Sequence, residues 1–129
     1  MSQSSIAACN AGLNARNALF NTGTVEIRSG AAADIDSTPT GTVLVTFTLP
    51  NPSFGTASSR AATMNAVTAV TATVSNAGGA VHYVAKDSGS AVIGNGTAGT
   101  SGTDMILNTL TWSSGDDVSI TAWTTTQPK

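Results

Sequence analysis

The chain has 129 residues, of which only 9% are charged, and a formal net charge of −2; an average soluble domain carries about 25% charged residues. Its basic residues, Arg16, Arg28, Arg60, Lys86 and Lys129, are scattered. That excludes the clustered cations that displace counterions from nucleic acid or hold an anionic membrane surface. One histidine, His82, and one cysteine, Cys9, supply too few groups for a zinc site or for acid–base chemistry, so the expectation is a non-enzyme with no metal and no cofactor.

The length predicts a single domain over 1–129, divided into an N-terminal helical segment (1–22), a β unit (23–126) and a short tail (127–129). Aromatic residues make up 5% of the chain, so the core must be built largely from small and β-branched side chains, which suits packed sheets better than a helical bundle. The first residues have neither a basic region nor an apolar run of signal-peptide length, and no stretch approaches the ~20 apolar residues of a membrane span.

In chain order, Ser4 and Ser5 can cap a helix running from about Ser5 to Leu19. Its apolar stripe is Ile6, Cys9, Leu13 and Phe20, interrupted by Asn17. Gly12 and the asparagines Asn10, Asn14 and Asn17 weaken it, and Asn21-Thr22-Gly23 is a plausible stop. This sparse stripe suggests docking on a sheet end or a neighbouring subunit, with a β unit that folds without it.

After Gly23 the hydrophobic period changes to two. Thr24–Arg28 and Thr42–Leu49 read as strands, separated by an aperiodic loop from Ser29 to Gly41; Pro50 and Pro52 end the second strand. Weaker signals cover Arg60–Met64 and Ala66–Val74. Ala80–Lys86 follows, with Val81, Tyr83 and Ala85 facing away from His82, Val84 and Lys86, then a hairpin turn at Asp87-Ser88-Gly89-Ser90. Ala91–Gly94 is a short strand, Gly94–Gly102 a glycine-rich loop, and Met105–Trp112 and Asp117–Thr125 the last two strands. One helix followed by seven or eight short strands predicts an antiparallel β-sandwich, jelly-roll or immunoglobulin-like.

Residues that could carry chemistry have simpler readings. His82 lies on a strand with no identifiable carboxylate or nucleophile beside it and is read as solvent-facing or interfacial. Asp34, Asp36, Asp116 and Asp117 sit in loops and turns, where carboxylates usually bond their own backbone. The Gly94–Gly99 run does not lead into a helix, as a phosphate cradle requires. Trp112 and Trp123 could form a sugar-stacking platform, but core or subunit-interface positions are favoured.

The order of several short segments resembles a family of small structural proteins of tailed-bacteriophage virions: head decoration or cement, neck and tail proteins. The segments are Ala11-Gly12-Leu13-Asn14-Ala15, Val25-Glu26-Ile27-Arg28-Ser29-Gly30, Pro39-Thr40-Gly41-Thr42-Val43-Leu44 and Leu49-Pro50-Asn51-Pro52-Ser53-Phe54-Gly55. Further on come Lys86-Asp87-Ser88-Gly89, Gly99-Thr100-Ser101-Gly102-Thr103-Asp104 and Gly115-Asp116-Asp117-Val118-Ser119-Ile120. The resemblance implies a virion component made in the bacterial cytoplasm and present in many copies, without catalytic residues. Physical reading and resemblance together point to a capsid cement protein. Its expected partners are the major capsid protein, or neck and tail subunits, and further copies of itself. The candidate interface is Ile6, Leu13, Phe20, Trp112 and Trp123. A neck or tail subunit is the alternative, and a carbohydrate-binding β-sandwich module the alternative of another class.

Overall fold

The computed structural model describes residues 3–65, 67 and 69–126. Helix α1 spans Ile6–Ala18, and Ser5 caps it by accepting the Ala8 N–H on its hydroxyl at 3.1 Å, satisfying one of the first-turn donors that a helix leaves unpaired. Strands β1 (Thr24–Ser29), β2 (Val43–Thr48), β3 (Ala61–Thr63), β4 (Val70–Thr71), β5 (Asn76–Ala77) and β6 (Val81–Lys86) follow. The chain continues through β7 (Val92–Gly99), β8 (Met105–Leu107), β9 (Thr111–Trp112), β10 (Asp117–Val118) and β11 (Ile120–Thr126). Seven of them form one sheet in the order β2-β1-β6-β7-β8-β11-β3, while β10 pairs with β4 and β5 with β9.

The expected protein, mostly β with one N-terminal helix, is observed. The large sheet is mixed, however, because β7 and β8 run parallel, with Ala98 opposite Met105 and Gly99 opposite Ile106. Parallel neighbours usually need a crossover of a dozen or more residues; here residues 100–104 suffice. Asp104 closes the link by accepting the Thr97 N–H at 3.1 Å, while its own N–H donates to the Thr97 hydroxyl at 3.0 Å.

Strand register explains the core. Val45, Ile27, Tyr83 and Gly96 form one row across four strands, and Phe47, Val25, Ala85 and Gly94 the next. Gly94–Gly99, read from sequence as loop, is therefore strand, and what lies over Gly96 leaves no room for a side chain there. A Cβ at Gly96 would come within 2.8 Å of the Tyr83 ring and 2.7 Å of the Asp104 carboxylate, whereas one at Gly94 would make only an ordinary contact with Phe20, at 3.9 Å. Tyr83 and Trp123 belong to β6 and β11, three places apart. That separation is about 14 Å in a flat sheet, yet their ring centroids are 5.2 Å apart, so the sheet curls around its aromatic cluster. Gly96→Ala is expected to destabilise the protein by about 1–3 kcal/mol through overpacking, read as a lower urea midpoint with a weakened near-ultraviolet tyrosine signal.

Other differences from the sequence reading are local. Within the weak strand at 66–74 only Val70–Thr71 is paired as β4, and Ala66 and Thr68 lie outside the described residues, as does the tail at 127–129. The strand expected at 105–112 breaks between Leu107 and Thr111, where Asn108 donates its N–H to Ser119 O and accepts the Ser119 N–H on its side chain, both at 3.0 Å. The same pair separates β10 from β11. The Asp87–Ser90 turn forms as expected, with Asp87 Oδ1 accepting the N–H groups of Gly89 and Ala91.

Candidate functional site

The five candidate interface residues divide sharply. Leu13, Phe20, Trp112 and Trp123 are buried in the chain's own core, and Ile6 alone is at the surface, 49% exposed. Trp123 stacks edge-on against Phe20, Phe54 and Tyr83. Trp112 donates its indole N–H to Val74 O at 2.9 Å. Neither indole presents a flat face to solvent. Burial also pushes the Tyr83 phenol above its usual 10.0, which keeps it a neutral member of the cluster.

His82 is buried at 2% exposure, contrary to the solvent-facing reading. It faces away from Tyr83, as strand alternation predicts. The 30–42 loop, however, folds down over that outer face. Its Gly30 carbonyl accepts from His82 Nδ1 at 2.9 Å, and Asn95 Nδ2 donates to Ala33 O at 2.9 Å. Nε2 is buried with no hydrogen-bond partner among the described residues. Val84, on the same outer face, is buried too.

Beside this strap, Glu26 Oε1 receives Arg28 Nη2 at 2.8 Å and Lys86 Nζ at 3.2 Å. Burial pushes the Glu26 carboxyl up, but the hydrogen bonds and charges of Arg28 and Lys86 outweigh it and hold the group below its ordinary 4.5. A carboxyl lowered on folding stabilises the protein fully above its unfolded value, and that contribution is lost as the pH falls through the folded value. Glu26→Gln is therefore expected to lower stability by about 1–2 kcal/mol at pH 7. Urea titrations should show the gap between variant and wild type closing in acid, below the ordinary glutamate range.

The loop carboxylates serve turns. Asp34 Oδ1 accepts the Asp36 N–H at 3.0 Å, and Asp116 Oδ2 the Ser113 N–H at 2.9 Å. Among the described residues no three His, Cys, Asp or Glu side chains come together as a group that could hold a metal ion. No helix among them is long and apolar enough to cross a membrane.

The feature that sequence reasoning misread is the asparagine series of the helix. Asn10, Asn14, Asn17 and Asn21 recur at spacings of four, three and four, which places the first three on one helical face, with Asn21 in the turn just beyond the end of α1. Each reaches another part of the chain. Asn10 Oδ1 accepts the Arg60 N–H at 2.9 Å, Asn14 Oδ1 the Ala57 N–H at 2.8 Å, and Asn21 Oδ1 the Ser53 N–H at 2.9 Å and the Ser53 hydroxyl at 3.0 Å. Asn17 Nδ2 donates to Thr125 Oγ1 at 2.9 Å. Asn10, Asn14 and Asn21 thus substitute for a strand partner at Arg60, Ala57 and Ser53. Asn10 also supports a two-residue turn at Ser59 and Arg60, both at positive φ, a conformation that disfavours side-chain-bearing residues. The spacing was the available signal, but it was masked by the poor helix propensity of asparagine.

Along this seam, between the C-terminal half of α1 and residues 52–56, lies a cleft of about 240 Å³ lined chiefly by Asn14, Asn21, Pro52, Phe54, Thr56 and Asn65. A second, wider depression of about 330 Å³ lies beside Trp112 and Asn76. No protein-family model matches the chain, and no curated protein or solved structure is significantly similar to it.

Proposed function

We propose that this protein is a structural subunit of a tailed-phage virion, a cement or decoration protein that stabilises the capsid through protein–protein contacts in many copies. The observation that carries this reading is the character of its surface. Ile6, Leu19, Ile35 and Val74 are large apolar side chains 39–51% exposed in a chain of which only 9% is charged. Interface cores are depleted in charge, and a weakly charged surface spares neighbouring identical copies from mutual repulsion. The resemblance of the order of its short segments to phage structural proteins is in keeping with the same reading. We further infer a two-layered, sandwich-like packing. Trp112 of β9 and Val118 of β10 belong to the same core cluster as Val25, Val45 and Leu107 of the large sheet, which supports treating the small sheets as a second layer.

The test is the copy number per purified particle, by quantitative mass spectrometry. On the order of hundreds of copies, matching the capsid lattice, is expected; roughly six to a few dozen, matching a cyclic assembly, places the protein in the neck or tail instead. Absence from the particle sinks the virion reading.

A further inference from the structure

We infer that the asparagine-lined cleft between α1 and residues 52–56 binds a neutral saccharide unit. The argument starts from which polar atoms the fold uses and which it leaves. Asn14 and Asn21 spend their Oδ1 atoms on Ala57 and Ser53, while their Nδ2 donors have no partner among the described residues. Asn65 is the reverse: its Nδ2 donates to Pro52 O at 3.0 Å, leaving Oδ1 as an acceptor. The Thr56 hydroxyl, exposed on the rim, both donates and accepts. The cleft therefore offers fixed donors and acceptors side by side, and their carboxamide planes are held by the bonds that dock the helix.

Charge is missing from this constellation. No ionisable residue lines the cleft, and the nearby arginines are turned elsewhere, Arg16 to Thr126 O and Arg60 to Ser4 O. A charged ligand would lose hydration there without gaining a counter-charge. Ala18, Pro52 and Phe54 add an apolar wall. A ligand must then both accept from amide donors and donate to amide and hydroxyl oxygens, and it must present C–H groups to the wall without carrying charge. A hexopyranose meets each requirement, and few precisely placed polar groups in an otherwise apolar recess are the usual composition of a small-molecule site. Neither tryptophan lines the cleft, and the inference does not depend on the virion reading.

The test is an amide chemical-shift titration of the full chain with neutral probes (maltose, lactose, cellobiose and N-acetylglucosamine), with gluconate, phosphate and a capped neutral tripeptide alongside. At least one sugar is expected to shift the amides of Asn14, Asn21, Gly55 and Asn65 saturably, with a Kd near about 1 mM for so small a ligand. Asn14→Asp and Asn21→Asp keep the Oδ1 acceptors that hold Ala57 and Ser53 but replace the free donors, and each is expected to weaken binding about tenfold, as loss of a hydrogen bond made to the ligand does. Ala18→Trp, at an exposed position, should fill the cleft and abolish binding even if the aspartate variants fold poorly. No shift with any sugar overturns the inference. Sugar binding untouched by all three variants overturns it as well, because the site then lies elsewhere. Preferential binding of the tripeptide does so too, by making the cleft a peptide site.

Discussion

Truncating Trp123 to alanine is expected to cost about 3–5 kcal/mol, a large part of the roughly 5–15 kcal/mol that holds a domain folded. The indole is 2% exposed and lies within 4.9–5.2 Å, centroid to centroid, of the rings of Phe54, Phe20 and Tyr83. Those three rings come from the segment before β3, the end of the helical segment and β6, so Trp123 joins parts of the chain distant in sequence. Each edge-on aromatic pair adds about 0.5–1.5 kcal/mol beyond the area it buries. In a chain with so few aromatics no other ring can refill the space. Urea denaturation followed by far-ultraviolet circular dichroism reads the loss, and Trp123→Phe should recover part of it. A loss under about 1 kcal/mol would mean that the sheet does not close around this ring.

Much of the fold was legible because its signals are local. Ser5 as N-cap, the change of period after Gly23, and the alternation of Val25 and Ile27 or Val45 and Phe47 are each decided by a few adjacent residues. What was not legible depends on partners distant in sequence. Gly94 and Gly96 read as loop because glycine marks breaks. Only the Tyr83 ring and the Asp104 carboxylate lying over Gly96 explain why the strand needs a residue without a side chain there. The parallel β7–β8 pairing is equally invisible, since it is held by the Thr97–Asp104 clasp across a link too short for the usual rule. His82 alternates correctly along its strand, yet its burial is decided by the 30–42 loop. The candidate cleft was hidden for a related reason: asparagines in a helix read as defects until the backbone groups they satisfy are known.

The sequence expectation is that the β unit folds without the helix; the hydrogen bonds made by Asn10 and Asn14 lead us to expect the opposite. Deleting residues 1–19 is expected to abolish cooperative unfolding and the near-ultraviolet circular dichroism signal. The deletion removes Leu13, fully buried, and Cys9 and Asn17, 2% and 4% exposed. It also strips the Ala57 and Arg60 N–H groups of their acceptors and uncovers the β3 end of the sheet, an open edge prone to intermolecular pairing. Point variants should grade the effect. Asn14→Ala leaves one N–H unpaired and is expected to cost about 1–3 kcal/mol. Asn21→Ala should cost more, because Ser53, wholly buried, then loses the acceptor for both its N–H and its hydroxyl. Ile6→Ser, on the exposed face, should change stability by no more than about 0.5 kcal/mol. A truncated chain that still unfolds cooperatively and keeps its aromatic signal would make α1 an appendage. The same Ile6 substitution would then test for a partner outside the chain, because loss of particle binding without loss of stability separates contact with a neighbour from support of the chain's own core.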